Sequence, residues 1–256
     1  MARDRFSQSR SIAAFTAAAG LSFAVGCGGD PSGPKGLSGR DAATGLEIVD
    51  PGPLPVDCNA GKGLRLESIN DFELGTDGWF SYNDHTPGSF QDPPDDIYPV
   101  PTQELAPRRC QSLYDIHIRA EGLADWGGGV GMKLVDRPKD ASRFDGVAFW
   151  ARKGASSFPA LRLNVSDVHT HEDGGICDPK APDKDPKRCG DAFGSYVSLS
   201  ESWQLFALDF SEMRQGGWGM RAPNFDLTRL YALSFQYQAG NWDIFVDDVA
   251  FFKRTP

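Results

Sequence analysis

The chemistry legible in this chain lies in aromatic, guanidinium and amide side chains at alternating positions of short apolar segments. Val147, Phe149 and Ala151 form one face of the segment 146–152, and Ala148, Trp150 and Arg152 the other. The first set reads as core, which leaves Trp150 and Arg152 on a partly solvated face. In the same way Leu161, Leu163 and Val165 oppose Arg162, Asn164 and Ser166. Tyr231, Leu233, Phe235 and Tyr237 oppose Ala232, Ser234, Gln236 and Gln238. Planar rings stack on the apolar C–H face of a sugar, while guanidinium and amide groups bond its hydroxyls. Trp79, Phe80 and Tyr82 follow the first strand and can add a loop platform. Trp218, set among glycines in 216–219, can add an exposed ring. The expected ligand set is therefore Trp150, Arg152, Arg162, Asn164, Gln236, Trp79, Tyr82 and Trp218. The competing expectation covers Trp150 with the loop 83–109 and leaves the polar residues as wetted surface.

Other constellations carry less. His169 and His171, two apart with Asp167, Glu172 and Asp173 beside them, are a candidate transition-metal cluster, with Cys177 and Cys189 as further donors. There is no Gly-x-Ser-x-Gly elbow. The run Gly127–Gly131 has Met132 where a dinucleotide fingerprint needs its third glycine. A glycosidase needs only two carboxylates, and the acidic stretch Asp92–Asp96 offers several, but its spacing gives that reading no positive support.

The elements that must position these residues are strands. Segments 64–73, 112–120, 129–135, 146–152, 160–167, 194–200, 203–210, 230–238 and 242–252 are rich in β-branched and aromatic residues. Gly, Pro and Asp divide them. None holds an apolar 3.6-residue period over three turns. The chain is all-β, and about nine strands predict a sandwich or jelly roll. Residues 83–109 and 168–193 read as long loops. Cys58, Cys110, Cys177 and Cys189 are an even number in an exported chain and predict two disulfides. Of the three connectivities, Cys58–Cys110 with Cys177–Cys189 is favoured. The first pins the entry of the domain and the second closes a short loop, each contributing about 3 kcal/mol.

The fold region opens with Ile69-Asn-Asp-Phe-Glu73 and closes with Phe245-Val-Asp-Asp-Val249. Between them lie Trp126-Gly-Gly-Gly-Val-Gly131, Phe144-Asp-Gly-Val-Ala-Phe-Trp150 and Trp203-Gln-Leu-Phe-Ala-Leu208. In order and spacing, over about 64–252, these resemble galactose-binding-like jelly rolls, and family 11 carbohydrate-binding modules in particular. The same opening and closing pair occurs in intermediate-associated proteins of respiratory complex I. The resemblance implies a concave sheet face that binds glycans without catalysis. It also implies a structural calcium where the first and last strands lie side by side, with Glu73 and Asp247 or Asp248 as ligands. Unpaired, those carboxylates would repel, and a hard cation with oxygen ligands resolves the repulsion. Alternation turns the two aspartates to opposite faces, and Asp248 is preferred.

The N-terminus sets the expected location. Arg3, Arg5 and Arg10 precede an apolar stretch from Ile12 to Val25, too short to span a bilayer as a mature helix. Ala24-Val25-Gly26-Cys27 resembles a bacterial lipobox, with Ala24 where Leu is usual. This implies a signal peptide over 1–26, acylation of Cys27, a Gly/Pro-rich tether over 27–62 and a jelly-roll domain over 63–256. Gly28 after the cysteine favours the outer membrane. The formal net charge is -9. Residues 1–26 contribute a net +2, so the remainder is about -11, which excludes a basic nucleic-acid footprint. The expectation is a monomeric cell-envelope lipoprotein that binds a polysaccharide. A structural or adhesive role with a protein partner is the first alternative, and a polysaccharide hydrolase the second.

Overall fold

Alternation of inward apolar and outward polar residues builds two antiparallel sheets that share one core. The computed structural model describes residues 39–40, 47–48, 56–134 and 138–255. The chain divides into two units, Met1–Asp50 and Pro51–Pro256. In the first, β1 (Gly39–Arg40) pairs antiparallel with β2 (Glu47–Ile48). The expected signal peptide, Cys27 and most of the tether lie outside the described residues.

The second unit holds β3 (Leu64–Asn70), β4 (Trp79–Asn83), β5 (Phe90–Asp92), β6 (Gln103–Arg109), β7 (Ser112–Leu123) and β8 (Gly128–Lys133). After them come β9 (Gly146–Lys153), β10 (Ala160–Asp167), β11 (Phe193–Ser198), β12 (Gln204–Asp209), β13 (Leu230–Tyr237) and β14 (Gly240–Arg254). One sheet has five strands in the order β11-β10-β13-β8-β4. The other has seven: β12-β9-β14-β7-β5, with β3 also on β14 and β6 also on β7. This is an all-β jelly-roll sandwich, as the alternation and the resemblance require. Each of the nine predicted segments contains a strand. The three strands of this unit not predicted, β4, β5 and β6, are short or irregular. In β6 the pairing slips between Glu104 and Arg109, and Pro107, which has no N–H to give a ladder, falls within the slip.

The core between the sheets takes Ile116 and Ile118 from β7, Val147 and Phe149 from β9, and Ile244 and Val246 from β14. Leu161, Leu163, Val165, Leu233 and Phe235 meet them from the five-stranded sheet. β14 runs along β9 on one edge. On its other edge it pairs first with β7 and then with β3, changing partner at a bulge where Asp248 has φ 47°. Both expected disulfides are present, Cys58–Cys110 and Cys177–Cys189. Since Cys58 is bonded into the second unit, that unit begins upstream of residue 63.

The outer face of the seven-stranded sheet carries a second, smaller cluster. Trp150, Trp203, Phe245 and Leu105 pack together there with Val56 and Leu205. Leu105 comes from β6, so the covering segment lies within 83–109. Trp150 is 8% exposed. Trp150→Ala should therefore act as a core truncation and cost about 3–5 kcal/mol in urea unfolding. A loss below about 1 kcal/mol would mean that the cover is not formed.

Candidate functional site

The outer face of the five-stranded sheet is the open one. The registers place Tyr196 (β11) beside Arg162 (β10), Arg162 beside Gln236 (β13), Gln236 beside Gly129 (β8) and Gly129 beside Tyr82 (β4). This makes a transverse row across all five strands, four strand spacings of ~4.8 Å or roughly 19 Å long. The next row reads Gly194, Asn164, Ser234, Gly131, Phe80. Aromatic rings stand at both ends, and amides and a guanidinium lie between. Tyr196 is 55% exposed. The Arg162 guanidinium lies 5.6 Å from the Tyr196 ring centre and donates to the carbonyls of Ala192 and Arg214, the latter at 2.7 Å. Asn164 donates to Gln236 Oε1 at 3.1 Å, while its own Oδ1 is buried with no partner among the described residues. Gln238 donates to the Tyr196 hydroxyl at 3.0 Å. At the other end Trp126, 44% exposed, stacks on Tyr82 at 6.0 Å. Burial pushes the Tyr82 phenol up to about 12, so it remains a neutral O–H. The residues of these two rows include no carboxylate.

Three aspartates fix the loops around this face. Asp84 accepts from Asp125 N and Gly127 N, both at 2.9 Å, and from Thr86, which sets the turn that presents Trp126. Burial would raise this carboxyl, but those bonds hold it below its ordinary value. Asp167 accepts from His169 N, Thr170 N and Asp226 N at 3.0–3.1 Å. Asp191 accepts from Gly216 N, Gly217 N and Gly219 N, holding the loop that carries Trp218.

The predicted ligand set is divided by this arrangement. Arg162, Asn164, Gln236 and Tyr82 meet on one face. Trp218 stands apart, 43% exposed, close against Gly190. Trp79 does not join them. It faces inward on β4, fully buried, stacked on Phe235 at 6.0 Å and edge-on to Phe72 at 5.5 Å. Trp150 and Arg152 belong to the other sheet, on the far side of the core. Alternation gives the side of a strand but not the sheet that it joins. Tyr196 and Trp126, which the sequence reading leaves out of the ligand set, also border this face, although alternation in 194–200 turns Tyr196 outward with Gly194 and Ser198. The histidine cluster does not assemble either. His169 Nδ1 lies 3.1 Å from Asp167, His171 stacks on Tyr231 at 5.3 Å, and the two cysteines are joined to each other.

The covered face of the seven-stranded sheet holds the acids expected to bind calcium. Arg109 Nη2 donates to Asp247 at 2.6 Å and to Asp248 at 2.5 Å, and its guanidinium lies 4.6 Å over the Trp150 ring. Glu73 accepts instead from Ser112 Oγ at 2.9 Å and Leu113 N at 2.7 Å. Among the described residues no three acid, histidine or cysteine side chains converge on one point. In this structure Glu73, Asp247 and Asp248 do not converge: Arg109 pairs with both aspartates and offsets one of their two charges, while Glu73 is engaged by Ser112 and Leu113. Arg152 lies 3.5 Å over the Phe245 ring. Beside these groups Asp115 is 1% exposed, with Oδ1 unpartnered among the described residues.

The fold and the open face define the class. This is a jelly-roll sandwich of the kind found in carbohydrate-binding modules. Two structures of the family 11 module from Clostridium thermocellum share it. The module of the cellulosomal cellulase Lic26A-Cel5E has a TM-score of 0.53 at 14% identity, covering 75% of this chain and 96% of that one. The module in complex with a β-1,3-1,4-mixed-linked tetrasaccharide has a TM-score of 0.51 at 16% identity, covering 75% and 97%. In sequence, the chain is 27% identical over 221 residues to Endoglucanase 3 of Fibrobacter succinogenes, covering 80% of this chain and 29% of that protein. The chain thus spans less than a third of that relative's length. No family model matches.

Burial, then the negative charge of Asp247, raises the Asp115 carboxyl to about 7. A raised acid pKa means that the folded state holds its proton where the unfolded chain has lost it. The stability this contributes is complete below the ordinary aspartate range and is lost as pH rises towards about 7. Unfolding midpoints should fall between pH 4 and pH 7, and Asp115→Asn should flatten that slope. An unchanged slope in the variant would assign the pH dependence elsewhere.

Proposed function

We propose that the protein binds a glycan without cleaving it, on the outer face of the five-stranded sheet. The observation that carries this reading is the row Tyr196–Arg162–Gln236–Gly129–Tyr82. It combines rings at both ends with hydrogen-bonding groups between them. Hydrolysis needs two carboxylates flanking the scissile bond, and the row supplies none. The likeness in fold to a module crystallised with a mixed-linked tetrasaccharide, together with the similarity to an endoglucanase, supports a β-linked glucan as the first ligand to test. In this reading the covered face around Trp150 is a stability element.

We further propose a lipid-anchored envelope location, carried by Cys27 and its lipobox, with the protein acting as a monomer. Among the described residues no helix is long and apolar enough to cross a membrane, so in this reading the acyl chains supply the attachment.

Two outcomes are expected. In calorimetric titration of the detergent-purified full chain with a mixed-linked β-glucan oligosaccharide, Tyr196→Ala and Gln236→Ala should each weaken binding about tenfold, ~1.4 kcal/mol. Their unfolding midpoints should stay near that of the parent. Equal affinity in both variants would move the site off this face. In cell fractionation, Cys27→Ser should shift the protein from membrane to soluble fractions, whereas retention in the membrane would refute the anchor.

A further inference from the structure

Arg162 and Asn164 are followed on the outer side of β10 by Ser166, two residues or ~7 Å beyond Asn164. The chain does not pass straight from there to β11. Residues 168–192 return to the sheet as a loop closed by Cys177–Cys189. The Gly190 N–H donates to the Thr170 carbonyl at 2.9 Å, and Asp173 pairs with Lys133 at 3.3 Å. Between loop and sheet lies an open hollow of about 290 Å³, lined by Ser166, His171, Glu172, Arg188, Cys189 and Gly190 among others. This is at the small end of ligand sites, which run from ~300 to 1,000 Å³. It holds one ring-sized group rather than the continuation of a chain.

The lining is matched to a hydroxyl-rich group. His171 Nδ1 accepts from Asp173 N at 3.2 Å, so the neutral ring carries its proton on Nε2. Burial keeps this imidazole below its ordinary pKa. Glu172 is an exposed acceptor, and Ser166 can donate or accept. Arg188 is held in place by its donation to the carbonyls of Pro179 and Ala181, the latter at 2.7 Å. The exposed Trp218 ring stands against Gly190, a residue of the hollow's wall. A chain lying along the two transverse rows would pass beside the hollow, and a substituent one ring long would reach into it.

We propose that this hollow is a side-chain subsite, seating a single-sugar branch of the glycan whose backbone lies on the rows. The proposal rests on the glycan-binding reading of the face. The test titrates the full chain with matched oligosaccharide pairs that share one backbone: cellohexaose with and without xylosyl branches, mannohexaose with and without galactosyl branches, and xylohexaose with and without arabinosyl branches. For at least one pair the decorated member should bind about tenfold tighter. In Glu172→Gln and His171→Phe that advantage should fall below twofold, with the undecorated affinity unchanged. The phenylalanine keeps a ring on Tyr231, and Glu172 is exposed, so at least one variant should fold. Decorated members that bind no tighter than their plain partners, or an advantage that survives both variants, would overturn the subsite and leave the face intact. If no oligosaccharide binds at all, the face reading fails and the subsite with it.

Discussion

One buried cation organises the covered face of the seven-stranded sheet. The Arg109 guanidinium is almost fully enclosed, accepted by Asp247 and Asp248 on the last strand and laid over Trp150 and Trp203. Removing it would leave Asp247 as an uncompensated charge in a dry site, a change that typically costs 3–5 kcal/mol. Arg109 is adjacent to Cys110, so the Cys58 disulfide, the covering strand β6 and the bulged centre of β14 converge at one place. With that cover seated, the outer face of the seven-stranded sheet becomes interior, and the five-stranded sheet keeps the open face.

The same contrast explains what the sequence could reveal. Period-two alternation turned Leu161, Leu163 and Val165 inward and Arg162 and Asn164 outward, and it ordered Leu233 against Gln236 correctly. It treated Trp150 and Arg162 alike, because both point away from a core. Which sheet a strand joins is decided by pairings such as Arg162 with Gln236 and Asp247 with Trp150. These join residues about 70 to 100 positions apart, and no local pattern encodes them. The cysteine pairing was readable because Cys177 and Cys189 close a short loop, 12 residues apart, which leaves Cys58 to Cys110. Strand β6 was not, since its ladder is interrupted and its stability comes from Leu105 and Arg109 docking onto aromatics supplied by later strands.

The loops around the open face follow another logic that composition hides. Asp84, Asp167 and Asp191 look like generic acids in an acidic chain. Each gathers several backbone N–H groups and so stands in for the ladder that a loop lacks. They fix the positions of Trp126, of the segment leading into the hollow, and of Trp218. The residues of the two transverse rows, by contrast, are neutral or positive.

Two buried glycines limit how such a face can change over generations. A methyl group at Gly129 would run into the Phe235 carbonyl oxygen, and one at Gly194 into that of Leu163. Both obstacles are main chain and cannot step aside. These two glycine positions are thus closed to larger side chains, while exposed Tyr196, exposed Trp126 and the disulfide-closed loop are free to vary. New preferences among relatives of this fold would arise by exchanging exposed residues and loops around such fixed glycines.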